Sequence, residues 1–217
     1  MSTFIRTSLH LLGSVSNLWA LYNVNRIVNP YANGFGGHFQ YLTILGLTVA
    51  TISFLLCLIR DFIPGFLNKV HSVIGSIAVP LEGLISVLYW GMIFLDPKLL
   101  IPADAPKIPV FVDCCLHLFP ALFLWIDFLF FNVEFKRSSS HVVNIYLFTI
   151  AYYVWTSYCY SKNKYYAYPF LADMTTNGRL MFFAVSGTVC WVMYELGAYI
   201  HKSLHGQLST KDGKKKQ

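Results

Sequence analysis

The chain has 217 residues, of which 56% are hydrophobic and only 12% charged, and its net charge is +6. A soluble domain carries about a quarter of its residues as charges, so a water-soluble globule is excluded; a mean hydropathy of +0.54, with the apolar residues in long blocks, marks an integral membrane protein of one domain. The positive charge gathers in the C-terminal HKSLHGQLSTKDGKKKQ, where Lys202, Lys211, Lys214, Lys215 and Lys216 face Asp212 alone. Beside apolar spans such a tail reads as a cytosolic anchor on acidic lipid rather than a nucleic-acid contact.

A spanning helix needs about 20 mostly apolar residues, and six segments qualify in chain order. The first, 7–26, is interrupted by Asn17, Asn23 and Asn25; with no small-x-small cleavage pattern it is expected to be a retained span rather than a signal peptide. The second, 40–59 (QYLTILGLTVATISFLLCLI), is the clearest. The third, 74–95, holds Pro80 and Glu82, and the fourth, 109–131, holds Asp113, His117 and Asp127. The fifth, 142–160, is rich in Tyr and Trp, and the sixth, 179–200, contains Glu195. Turn formers fill the linkers NPYANGFGGH, RDFIPGFLNK, DPKLLIPADAPK, NVEFKRSSSH and SKNKYYAYPFLADMTTNG. The expectation is an all-α bundle of about six transmembrane helices over 1–200, followed by a basic cytosolic tail over 201–217.

Six spans put both termini on one side. That side carries ten Lys and Arg against six on the other, which predicts cytosolic termini. The final KKKQ places Lys214 and Lys215 at the positions of a dilysine retrieval signal, predicting residence in the endoplasmic reticulum and recognition of the tail by coat protein.

Ionisable groups inside a span cost about 2.5–3.5 kcal/mol at the bilayer centre, so Glu82, Asp113, His117, Asp127 and Glu195 are candidates for function. Asp113 precedes His117 by four residues and shares its helix face, where a carboxylate fixes the imidazole tautomer. Thr43, by itself, reads as packing in a membrane helix, as do Thr48 and Thr51. Depth connects it with His117: both lie near the non-cytosolic start of spans running the same way, about 6 Å apart in depth at 1.5 Å per residue. A hydroxyl beside an imidazole is the minimum for acyl transfer. Gly36 and Gly37, in GFGG, either make a flexible turn or offer backbone N–H groups to an oxyanion. No GxSxG, HExxH or Walker loop is present. The cysteines Cys57, Cys114, Cys115, Cys159 and Cys190 are odd in number, lack CxxC spacing and suggest neither a disulfide framework nor a zinc site.

Several segments together resemble the androgen-induced protein family, which includes the androgen-dependent regulator of tissue factor pathway inhibitor. They are GGHFQYLT at 36–43, DCCLHLFPALFLWID at 113–127, AYYVW at 151–155, YPFL at 168–171 and GRLMFF at 178–183, in matching order over nearly the whole chain. The resemblance implies a multi-pass hydrolase of fatty acid esters of hydroxy fatty acids, with no metal or organic cofactor. The family's threonine nucleophile falls on Thr43, and its histidine on His117, followed by Pro120. Two departures stand out: the family residue one turn before the histidine can be Asn where this chain has Asp113, and the dilysine tail is not a general family feature. Phe39, Leu42, Phe119 and Trp155 are expected to line an acyl channel open to lipid, and Tyr168 to close its mouth or donate a hydrogen bond. The competing functions are a small transporter or proton-coupled carrier built on the buried carboxylates, and a non-catalytic lipid binder.

Overall fold

The computed structural model describes residues 3–27, 32–102, 105 and 108–214, with side chains as far as 206. It is all helical: α1 Thr3–Val24, α2 Leu42–Phe62, α3 Asn68–Leu95, α4 Val110–His117, α5 Phe119–Phe130, α6 Ser139–Asn163, α7 Pro169–Asp173 and α8 Thr176–Lys214. Helix α3 is the axis of the bundle and packs against α2, α5, α6 and α8. Its sequence explains this, because consecutive residues from Ala78 to Ile85 are buried on every face, as in a helix apolar all round. Helix α1 packs on the other side of α2 and on α4 and α5. Small residues let the backbones approach: a Cβ at Gly13 of α1 would fall 2.7 Å from the Phe54 ring of α2, and Gly46 of α2 lies against Ile85 and Glu82 of α3.

Among the described residues four stretches are long and apolar enough to cross a membrane: Leu42–Phe62, Asn68–Leu95, Val110–Phe130 and Thr176–Gly206. Helices α1 and α6 have the length but are more polar, because their inward faces carry His10, Ser14 and Asn17, and His141 and Thr156. Their outward faces are apolar stripes, Leu11–Val15–Leu18 and Val143–Leu147–Ile150–Val154. Each stripe repeats at helical spacing and is left uncovered by the rest of the bundle.

The fourth predicted span is not one continuous helix. It breaks at Leu118, between α4 and α5, because Pro120 has no N–H to continue the ladder and its ring would strike the carbonyl four residues back. The last helix runs past the predicted boundary at 200, so the basic segment begins as helix. Lys215 and Lys216 lie outside the described residues, as does the Lys214 side chain, and with them the dilysine signal.

The first turns of α1 and the last described side chains of α8 lie at the same end of the bundle. Near the start of α1, His10 bonds to Asp61 at 2.7 Å and to Asp127 at 2.7 Å. Near the end of α8, His201 bonds to the Asn132 carbonyl at 2.9 Å and His205 to the Leu129 carbonyl at 3.0 Å.

Candidate active site

The opposite end of the bundle holds Thr43, and the turn before α2 fixes where it sits. Gly36 and Gly37 adopt φ +89° and +53°, a region that penalises any residue with a Cβ. A Cβ on Gly36 would also come within 2.9 Å of Cys159 Sγ. The chain then makes a 3₁₀ turn over Gly37–Gln40 that is tied to α6. Trp155 Nε1 donates to the Phe39 carbonyl at 2.9 Å, Tyr152 donates to the Gln40 carbonyl at 3.0 Å, and Asn163 Nδ2 donates to Gln40 Oε1 at 2.9 Å. Helix α2 starts from this clamp, with Thr43 in its first turn.

His117 approaches from α4, at the last residue before the proline break. Its Nδ1 lies 2.8 Å from Asp113 Oδ1 and its Nε2 lies 3.2 Å from Thr43 Oγ1. A carboxylate only accepts, so the neutral ring carries its proton on Nδ1 and its Nε2 lone pair faces the Thr43 hydroxyl. The break after His117 leaves the imidazole at a helix terminus, pointing across to α2. Tyr89 of α3 stacks flat on the imidazole, with centroids 3.4 Å apart and planes within 3°, and its hydroxyl faces Asp113. The ring is therefore held at both nitrogens and on one face.

Tyr168, in the loop before α7, completes the group. Its oxygen accepts the Leu42 N–H at 2.9 Å and also faces the N–H and hydroxyl of Thr43. Burial pushes its phenol above the ordinary tyrosine value. It therefore keeps its proton, which is available to donate beside Thr43.

Two cavities meet at these residues. An outer one of about 350 Å³ is bounded by Thr43, His117, Asp113, Tyr41, His38 and the 100–102 loop. An inner one of about 90 Å³ runs down α3 among Leu42, Leu81, Leu84, Ile85, Ile145 and Phe183. Thr43, Tyr89 and Tyr168 border both.

Of the predicted lining residues, Leu42 borders the inner cavity, but Phe39, Phe119 and Trp155 border neither. Phe39 points outward from the 3₁₀ turn and is 51% exposed. Phe119 packs on Phe111 and Phe123, and Trp155 is occupied with the Phe39 carbonyl and the Phe35 ring. Gly36 and Gly37 also lie off the cavity wall, and the Gly37 N–H is committed to the Gly34 carbonyl at 3.0 Å. They set the turn and present no N–H to Thr43. Of the other in-span carboxylates, Asp127 bonds to His10 and Glu195 pairs with Arg137 at 2.7 Å. Glu82 is buried, with Oε1 lacking a partner among the described residues. Sequence reasoning missed Tyr89, since no spacing links a tyrosine in the third span to a histidine in the fourth. Tyr152 lay within AYYVW but had been given no role.

A family model described as FAR-17a/AIG1-like protein matches residues 5–202. The chain belongs to the FAR-17a/AIG1-like family. Within the FAR-17a/AIG1-like relatives, the UPF0641 membrane protein PJ4664.05 of Schizosaccharomyces pombe is 33% identical over 205 residues, covering 92% of each chain. The human androgen-induced gene 1 protein is 21% identical over 198 residues, and the UPF0641 membrane protein YHR140W of Saccharomyces cerevisiae 25% over 202, each covering 83% of both chains. No solved structure gives a significant match.

Proposed function

We propose that this FAR-17a/AIG1-like protein is an intramembrane ester hydrolase that cleaves fatty acid esters of hydroxy fatty acids, with Thr43 as nucleophile and His117 as base. The observation that carries the reading is the Thr43 hydroxyl, 3.2 Å from a histidine nitrogen that can accept its proton, at the meeting point of two cavities. A branched lipid ester has an acyl chain on each side of its carbonyl. With the ester at Thr43, one chain enters the apolar inner cavity along α3 and the other leaves through the outer cavity. The residues lining the inner cavity run from Tyr89 down to Ile77, about 18 Å of helix, so an acyl chain entering there lies along α3.

The chemistry follows from the geometry. Nε2 of His117 takes the Thr43 proton as Oγ1 attacks the ester carbonyl, and the Tyr168 hydroxyl donates to the developing oxyanion. Collapse expels the hydroxy fatty acid, which takes the proton back from Nε2, and leaves an acyl-Thr43 ester. Water entering through the outer cavity then attacks, His117 again takes and returns the proton, and the fatty acid leaves. Asp113 touches no reacting atom; it keeps the proton of His117 on Nδ1 and balances the imidazolium. The tail and the charge asymmetry favour a location in the endoplasmic reticulum membrane with cytosolic termini.

Purified protein in detergent micelles should release free fatty acid from such an ester. An activated phosphonate should label it, and peptide mapping should find the adduct on Thr43. Thr43→Ala should lose both the turnover and the adduct, and His117→Ala the turnover. Undiminished hydrolysis by monodisperse Thr43→Ala protein, or an adduct on another residue, refutes the assignment.

A further inference from the structure

A second polar cluster lies at the terminal end of the bundle, away from Thr43. Cys57 follows Thr43 by 14 residues on α2, about 21 Å along the helix. His10 of α1, Cys57 of α2 and Asp127 of α5 are all buried, and one donor atom from each lies within 4.8 Å of the others. Asp127 Oδ1 is 2.7 Å from His10 Nε2, and Asp127 Oδ2 is 3.9 Å from Cys57 Sγ.

The hydrogen bonding of His10 sets a constraint. Its Nδ1 faces the Asp61 carboxylate at 2.7 Å while its Nε2 faces Asp127 at 2.7 Å. Two ionised carboxylates only accept, so one neutral imidazole cannot satisfy both, and the ionised pair calls for a cation at the Nε2 side, either a second ring proton or a metal ion. The Asp61–His10 pair is the carboxylate–histidine arrangement that orients metal-ligating imidazoles. Asp61 is in turn held by Arg6 at 2.7 Å. On the other flank, Arg60 Nη1 donates to His71 Nδ1 at 2.6 Å, which fixes the His71 proton on Nε2, 3.2 Å from Cys57 Sγ. His71 is thereby turned into a donor toward a thiolate and is excluded as a ligand. The same residues line a cavity of about 170 Å³, with room for an ion and a bound water.

We propose that this cluster is a binding site for a divalent cation of the zinc class, ligated by His10 Nε2, Cys57 Sγ and an Asp127 carboxylate oxygen, with water in the fourth position. Asp61 and His71 act as positioning residues around it. Tetrahedral zinc sets its donors about 3.3–3.7 Å apart, so His10 Nε2 and Asp127 Oδ1, now 2.7 Å apart, part to admit the ion while Cys57 Sγ draws in, each by about 1 Å or less. Binding displaces one proton from His10 Nε2 and one from the Cys57 thiol, so a dication replaces two protons and the buried charge is unchanged. That balance matters where an uncompensated charge is expensive. The sequence hid the site because its ligands come one each from three helices, outside any CxxC spacing.

The test uses the full-length protein purified in detergent without chelator. Elemental analysis should find about one zinc per chain, and exchange with Co²⁺ should give a thiolate-to-cobalt charge-transfer band with the visible absorption of a four-coordinate site. Cys57→Ser should abolish the charge-transfer band while Cys190→Ser, a buried cysteine on α8, keeps it. Asp61→Asn should weaken Co²⁺ affinity by about 10- to 100-fold. A chelator should lower the thermal midpoint of the wild type and leave that of Cys57→Ser unmoved. Thr43→Ala should keep its metal, so the two sites stand or fall separately. Protein that elutes monodisperse but carries no zinc and takes up no Co²⁺, or a charge-transfer band that survives Cys57→Ser, overturns the proposal in favour of a protonated His10 bridging two carboxylates.

Discussion

Replacing Asp113 tests how the imidazole is held. Its carboxylate accepts from His117 Nδ1 at 2.8 Å, and its side chain is 19% exposed. A hydrogen bond to a charged partner contributes about 1.5–3 kcal/mol, and a neutral one about 0.5–1.5. In Asp113→Asn the amide oxygen still accepts from Nδ1 but the charge is lost, a difference of about 1 kcal/mol. Asp113→Leu removes the acceptor and frees the ring to take the tautomer with its proton on Nε2, where it cannot accept from Thr43. Part of each effect is screened, because the carboxylate reaches the outer cavity. At 1.36 kcal/mol per factor of ten, turnover should fall about 5-fold for Asn and about 30-fold or more for Leu. The assay is fatty acid release from a fatty acid ester of a hydroxy fatty acid in micelles, followed by mass spectrometry over a range of substrate. Both losses should appear in kcat, with KM within about twofold, since Asp113 acts through His117. In a His117→Ala background neither substitution should cost anything further. The reasoning fails if Asp113→Leu keeps wild-type kcat, or if the loss lies in KM alone.

Three further outcomes follow from contacts already described. Tyr89→Phe keeps the stack on His117 and loses only a hydroxyl that faces Asp113, so it should cost turnover less than about tenfold, whereas Tyr89→Ala frees the ring face and should cost more; equal rates for both would remove the stacking role. Ile77→Phe narrows the far end of the inner cavity and should raise KM for long-chain esters while leaving short-chain turnover intact; an unchanged chain-length profile would show that the acyl chain lies elsewhere. Gly13→Ala puts a methyl 2.7 Å from the buried Phe54 ring and should destabilise the α1–α2 contact by about 1–3 kcal/mol, read as a lower thermal midpoint in detergent.

Six long segments were legible because length and apolarity are local properties, and among the described residues four stretches are long and apolar enough to cross a membrane. The two most polar ones, α1 and α6, escape a hydropathy criterion for a reason visible only in three dimensions: Asn17, His10 and His141 face inward, toward helices the sequence does not place beside them. The kink at Leu118 was also written locally, in Pro120, yet a continuous span was expected because the apolar run hid its effect. For the site, the Asp113–His117 pair came from an i, i+4 spacing on one helix; a depth within about 6 Å in a parallel span allowed Thr43 to join it, and the family resemblance singled it out. Both arguments rest on axial position, which sequence supplies. Rotation about the helix axis is what it does not supply. Phe39 and Trp155 sit at the right depth, but the 3₁₀ turn and its bond to Trp155 turn them away from the cavity. Tyr89 sits at the right depth on α3 and is turned toward His117.

The same distinction explains why the two ends of the bundle are built differently. At the Thr43 end a single carboxylate holds the histidine, and the second ring nitrogen is left facing a hydroxyl, a neutral partner from which it can take a proton. At the other end the histidine lies between two carboxylates, and neither ring nitrogen is free to act as a base. A base needs a lone pair that the protein has left exposed to substrate; a histidine flanked by two anions instead needs a cation. His117 and His10 are both buried and each is bonded at both ring nitrogens, so burial and hydrogen-bond count cannot tell them apart. The charge of the second partner can: it leaves His117 free to move a proton and requires His10 to hold a positive charge in place.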